Sequence, residues 1–256
     1  MIRAPLRTDA WESVGVPTPG GVLYTCEHAS NRVPAPWRLR PSDRRLLGLH
    51  WGYDIGAAAV TRSLARRSGA PALLSRFSRL LIDPNRDPAD DTAVLAHTDD
   101  GAPTFNRQRD VHERVERFHH PFHAALDAAV RRLRPRWIVS VHSFTPSFRG
   151  QARRMEAGVL FDRYDDDALR LVDAMRAEGL QTEANAPYSG KDGLIYSAAR
   201  HGAAHGGPYL EIELRQDLIA SGRAARGVAG RVHAALVRAG LVDTGLVRAG
   251  IPGDPR

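Results

Sequence analysis

Two short apolar runs, each broken by a histidine, constrain this chain more than any other feature. Val22-Leu23-Tyr24-Thr25-Cys26 gives way to Glu27-His28-Ala29-Ser30-Asn31, and Trp137-Ile138-Val139-Ser140-Val141 gives way to His142-Ser143. Runs this short, apolar and rich in β-branched residues read as buried strands. Ligands of open α/β sheets sit beyond the carboxyl ends of the strands. If these two strands are neighbours in a parallel sheet, their ends set two imidazoles side by side.

The remaining pattern alternates strand and helix. Residues 1–20 read as an irregular lead-in, and Ser42-Asp43 can cap a short helix through Leu49. Apolar residues at helical spacing predict a helix from Ile55 to Leu64, with Asp54 at or near its N-cap and Gly69 after its end. Ala70–Arg76 reads as a second strand and Leu80-Leu81-Ile82 as a third. Residues 87–108 are aperiodic, as expected of a lid or binding loop. Arg109–Arg134 reads as one long helix. Val159–Phe161 and Leu180–Glu183 read as strands, Asp165–Glu178 as a helix, and 185–193 as a loop. In the strand Pro208–Leu214, alternation puts Glu211 and Glu213 on one face and Leu210, Ile212 and Leu214 on the other. Ile219–Leu241 reads as a closing helix and 242–256 as a frayed tail. The expectation is an α/β fold with a mixed, largely parallel sheet, in one domain over 1–256 with its core at about 21–240.

Composition narrows the function. The formal charge of +7 is carried by arginine spread along the chain, with Lys191 the one lysine, so no block of charge marks a nucleic-acid surface. No run approaches the roughly 18 apolar residues of a membrane span. The N-terminus lacks a signal-peptide core, and the single Cys26 suits a reducing cytoplasm. Cys26 ends a buried strand, where a thiol is ordinarily inert packing. Adjacent residues on an extended chain point apart, which argues against a Ser143–His142 nucleophile pair.

Four features fall at strand ends or in loops: His28, Asp83-Pro84-Asn85-Arg86, His142 and Glu213. They make coherent chemistry as a metal-assisted amide hydrolase. A catalytic zinc wants N/O ligands and an open position for water, a carboxylate relays the proton, and arginines bind oxyanion and carboxylate. His119 and His123, four apart on a helix, also have chelating spacing, but no glutamate lies between them and Pro121 disturbs the helix. His120 accompanies them with no role read for it.

The ordered motifs Cys26–Pro34, Asp54–Ala57, Ser78–Arg86, His120–Leu126, Val141–Phe144, Asn185–Gly190 and Glu213–Ile219 resemble those of the N-formylglutamate amidohydrolase (deformylase) family, over roughly 21–220. That family is similar to the zinc carboxypeptidases and aspartoacylases. The resemblance implies a three-layer, zinc-carboxypeptidase-like sheet flanked by helices and one catalytic Zn2+ per chain. It implies His28 and His142 as metal imidazoles, Glu213 as general base and Arg79 as the carbonyl-polarising arginine. It implies Asn85 and Arg86 at the substrate carboxylate, with Tyr188 and Arg215 also at the substrate. The default substrate is N-formyl-L-glutamate, a small acyl amino acid; the same scaffold can serve another amino-acid or peptide side chain. The wider superfamily places a glutamate three residues after the first histidine, where this chain has Asn31. Asp54, favoured here, Glu27 or a water would complete the shell, and Glu211 is the alternative to Glu213. A non-catalytic basic binding module is the reading from another class. Oligomeric state is left open.

Overall fold

The computed structural model describes residues 6–107 and 110–243. Residues 1–5 of the expected lead-in, Arg109 at the expected helix start and the expected tail beyond 243 lie outside the described residues. The strands are β1 (Trp11–Val14), β2 (Val22–Cys26), β3 (Ala72–Ser75), β4 (Trp137–Phe144), β5 (Ser147–Phe148), β6 (Gln151–Ala152), β7 (Ala157–Leu160), β8 (Thr182–Ala184) and β9 (Tyr209–Arg215). The α-helices are α1 (Pro41–Leu47), α2 (Ala57–Ser68), α3 (Val111–Arg114), α4 (His120–Leu133), α5 (Asp165–Ala177), α6 (Tyr196–His205) and α7 (Gly222–Arg238).

Seven strands form one sheet in the order β1-β3-β2-β4-β9-β7-β8, and β5-β6 is a separate hairpin. The inner strands β3, β2, β4 and β9 are parallel, while β1 and β7 run antiparallel to their inner neighbours. The sheet is mixed and largely parallel, with helices on both faces. Val60, Leu64, Leu171, Val232 and Leu236 of α2, α5 and α7 pack on Tyr24, Val139, Val141 and Ile212. Leu46, Phe122, Leu126 and Ala198 of α1, α4 and α6 pack on Leu23, Ile138 and Tyr209.

That second face changes character along the strands. Because side chains alternate with period two, register aligns Leu23 with Ile138 and Ile138 with Tyr209, an apolar row. The next row is Thr25, Ser140 and Glu211, and the row after it pairs His142 with Glu213. Glu27, just beyond β2, reaches this last row through bonds from Ser140 Oγ and His142 Nε2. The strand bases build the core and their carboxyl ends build a polar site.

Several expectations are corrected. The lead-in contains β1, which pairs with β3 and covers the sheet edge. Leu80-Leu81-Ile82 is a buried turn, not a strand, with Leu81 N donating to Ser78 O; a short apolar run signals burial without fixing backbone shape. The expected helix through 134 is interrupted. A wide π-turn at Val115–His119 separates α3 from α4, because Pro121 brings no N–H to the Arg117 carbonyl and the chain accommodates the loss just upstream. The short helix α1 starts at Pro41, and Asp43 accepts from Arg40 N and from Thr104 on a distant loop. The closing helix is shorter than Ile219–Leu241, beginning after the Ser221 cap, and α6 arises where no helix was expected.

Candidate active site

The parallel pairing of β2 with β4 brings His28 and His142 together, their rings edge to face with centroids 4.6 Å apart. Both turn Nδ1 toward one atom, Asp54 Oδ2, at 3.3 Å from His28 and 2.9 Å from His142. Both hold Nε2 on a different carboxylate. His28 Nε2 donates to Asp83 Oδ1 at 2.7 Å, and His142 Nε2 to Glu27 Oε2 at 3.0 Å. All five side chains are buried.

This donor set tests itself for a cation. Imidazoles that donate from Nε2 to carboxylates carry bare lone pairs on Nδ1 when neutral. Two such lone pairs facing a carboxylate oxygen repel it unless a proton or a cation lies between. Metal-bound histidines characteristically donate their other N–H to a carboxylate. His28, His142 and Asp54 can therefore hold a divalent cation, their ligand atoms lying within 4.8 Å of one another. A second grouping, His142 with Glu211 and Glu213, meets the same spacing. It has one imidazole instead of two, and that ring's Nε2 is already engaged by Glu27.

The electrostatics put a proton in that place at His142. Burial disfavours a charge on Asp54, but His28 and His142 outweigh it and hold the carboxyl well below the ordinary range. For Glu27, burial is likewise outweighed by His142 and Ser140, which bring it to about 2. Burial lowers the basicity of His142, yet the charge of Glu211 and the bonds to Asp54 and Glu27 raise it well above 6.5. Glu211 is pushed up to about 7 by burial, with His142 opposing. Glu213 is raised well above its ordinary value by burial and by the Glu211 charge.

His28, Asp54, His142, Glu211 and Glu213 line a cavity of about 190 Å³ together with Arg79, Arg86, Tyr188 and the loop residues His50 and Trp51. A family model described as N-formylglutamate amidohydrolase matches residues 20–220. The chain belongs to the N-formylglutamate amidohydrolase family. A solved gene product of Agrobacterium tumefaciens is similar to it at 30% identity and a TM-score of 0.80, with 91% of this chain and 95% of that one covered. The solved N-formylglutamate amidohydrolase of Ralstonia eutropha JMP134 is 20% identical with a TM-score of 0.68, over 93% of this chain and all 100% of that one, a likeness of fold. No curated protein matches. Among the described residues no helix is long and apolar enough to cross a membrane.

In this N-formylglutamate amidohydrolase family member, Asp54 is no helix cap. The cap of α2 is Gly56, at φ 84°, and the Asp54 carboxylate instead accepts from Ser143 N at 3.1 Å besides facing the imidazoles. Asn31 is exposed and outside the cavity, so it is no candidate ligand. Arg79 lies at the cavity wall, its Nε and Nη2 donating to Asp83 Oδ2 at 3.1 and 2.7 Å and its Nη1 lying 3.6 Å from Asp54. Arg86 and the partly exposed Tyr188 also line the cavity.

Asn85 lines the cavity as well, and Arg215 does not. Both amide hydrogens of Asn85 are engaged, by Leu194 O and Glu211 Oε2 at 3.3 Å each, and its oxygen accepts from Ser197 N; Asn85 thus fastens Glu211 and the 194–197 segment at the cavity wall. Arg215 lies outside the cavity, its guanidinium bound to the Arg153, Arg154 and Met155 carbonyls and to Asp217. His119 and His123 do not chelate together: His119 Nε2 donates to Arg86 O and His123 Nε2 to Pro84 O, both at 3.0 Å. They prop up the turn that carries Asp83 and Arg86. His120 is half-exposed and pairs with Glu116. Cys26 is buried with its thiol pushed up by burial, and Ser143 Oγ donates to Ile55 O, so neither is poised as a nucleophile.

The residues missed as site members are Asp83 and Glu27 in their role behind the imidazoles. Glu27, adjacent to His28 in the chain, was the available signal; Asp83 stands in a stretch of its own with no histidine beside it. Which carboxylate serves which ring depends on the crossing of strands.

Proposed function

We propose that the chain hydrolyses the C–N amide bond of an N-acylated, carboxylate-bearing amino acid, with N-formyl-L-glutamate giving L-glutamate and formate as the default reaction. One catalytic Zn2+ per chain would be held by His28, His142 and Asp54. One observation carries the reading: two imidazoles offer Nδ1 to the same Asp54 oxygen while carboxylates hold their other nitrogens, beside a buried Glu213 whose Oε2 has no partner.

A divalent ion bound there supplies Lewis-acid polarisation and lowers the pKa of water. The protein supplies the rest. Glu213 is the general base, taking a proton from the attacking water and delivering it to the departing amine. Support for Glu213 over Glu211 is geometric, since Glu211 Oε2 accepts from Asn85 and lies 3.5 Å from His142 Nε2, whereas Glu213 Oε2 is unengaged. Arg79 is held by Asp83 through Nε and Nη2, which leaves Nη1 to donate to the oxyanion as it develops. Arg86 offers a guanidinium to the substrate carboxylate, and Tyr188 at the rim closes over it. Asp83 and Glu27 keep the two imidazoles in the Nε2–H tautomer. The lone buried Cys26 is consistent with a reducing, cytoplasmic setting.

The test is a panel of N-acyl amino acids offered to zinc-replete protein, with elemental analysis alongside. About one ion lost on replacing His28, together with release of formate from N-formyl-L-glutamate, is the expected result. An inert protein across the whole panel, or unchanged metal content without His28, would overturn the proposal.

A further inference from the structure

Away from the cavity, α4 and α6 meet over a second cluster. His201 and His205 are four apart on α6 and share a face, with Asp127 opposite them on α4. His205 Nε2 lies 2.7 Å from Asp127 Oδ1, and His201 Nδ1 lies 4.0 Å from the same oxygen. His201 is only 2% exposed, and its Nδ1 has no hydrogen-bond partner. A buried ring nitrogen left without a partner calls for an explanation.

The far side of the ring dictates what that nitrogen presents. The Pro84 carbonyl can only accept, so His123 Nε2 donates to it and His123 Nδ1 is left as an acceptor. His201 Nε2, 2.9 Å from that Nδ1, is then the donor. A neutral His201 consequently carries a lone pair on Nδ1 and aims it at Asp127. The other carboxylate oxygen of Asp127 accepts from Arg131 at 2.6 Å, which leaves Oδ1 facing the histidines. A ligating imidazole donates its remaining N–H to a neighbouring group, and His201 already does so.

We propose that His201 Nδ1, His205 Nε2 and Asp127 Oδ1 form a second divalent-cation site, of the zinc type, separate from the one at His28, His142 and Asp54. The three ligand atoms lie within 4.8 Å of one another, and two imidazoles with one carboxylate suit zinc. The outer side meets a groove lined by Arg131, Pro135, His205 and Pro208, where a water can complete the shell. The role is structural. The ion ties together the two helices whose His123 and His201 lie beneath the turn carrying Asp83 and Arg86.

The test compares chelator-stripped full-length chain with its His205→Ala and Asp127→Asn variants. Each is titrated with Zn2+, and separately with Co2+, against a competing chelator. The wild-type chain is expected to bind one equivalent more than either variant and to show, for that equivalent, added cobalt absorption that both lack. Both variants keep hydrolytic turnover in excess zinc, because neither residue reaches the cavity. Equal equivalents in wild type and in a variant with native circular dichroism would overturn the site and leave His205–Asp127 a plain ion pair. Either variant alone suffices if the other does not fold. The comparison is a difference, so it stands whatever the occupancy at His28 and His142.

Discussion

Replacing Glu213 with Gln tests the chemistry with little disturbance of the fold. The side chain is 5% exposed, and Gln has nearly the same volume, so no cavity opens. What changes is one proton-accepting oxygen at the cavity wall, Oε2, which has no protein partner to lose. Losing a general base removes about 10²–10⁴ in rate, which is roughly 3–5 kcal/mol at about 1.4 kcal/mol per tenfold. Stability should move the other way. Burial and the Glu211 charge disfavour an ionised Glu213, so a neutral amide there leaves the melting temperature unchanged or higher. Stopped-time formate release across substrate concentrations is the assay, with calorimetry and metal analysis in parallel. The expected pattern is a fall of at least about 100-fold in kcat, a KM within a few-fold, and unchanged metal content. Retention of more than a tenth of kcat would refute the base assignment. Glu211→Gln is the informative control, because Gln can still accept from Asn85 Nδ2. If that variant is dead while Glu213→Gln is active, the two carboxylates exchange roles.

Three further outcomes follow from the geometry. Asp83→Asn weakens the carboxylate behind His28 Nε2 and should lower zinc affinity about 10–100-fold, read by chelator competition. Gly56→Ala forces a left-handed residue and puts a Cβ 2.3 Å from Ile219 O, so it should destabilise by about 2 kcal/mol or more, seen in urea unfolding. Burial lowers the His119 pKa below 6.5, with the bond to Arg86 O opposing. The unfolded chain therefore binds this proton first, and the stability tied to neutral His119 is present above about pH 6.5 and lost as pH falls below it. Denaturant midpoints from pH 7.5 to 5.5 should fall less steeply for His119→Gln than for wild type, and parallel curves would remove His119 from the account.

Much of the site was legible because its residues sit where local patterns end. The strand-then-histidine pattern at His28 and His142 placed two imidazoles on neighbouring strands, and the alternation in Tyr209–Arg215 placed Glu211 and Glu213 on one face. Motif order was enough for the family. Less was legible where an apolar or polar run had several physical outcomes. Leu80-Leu81-Ile82 is buried as a turn, and the helix beyond residue 110 yields to a π-turn before Pro121. Arg215 carries the right chemistry for a substrate, but its guanidinium is taken up by the Arg153, Arg154 and Met155 carbonyls, distant in sequence.

The sequence by itself determined the layered α/β fold, the two histidines and the pair of glutamates, since periodicity and strand ends are local properties of a chain. Tertiary structure alone decided how they are wired. Asp54 leaves its helix start to meet both imidazoles, Asp83 stands behind His28 and Glu27 behind His142, and Glu211 is fastened while Glu213 is not. Each of those facts is a distance across strands or loops, and no spacing along the chain encodes which carboxylate a buried imidazole will meet.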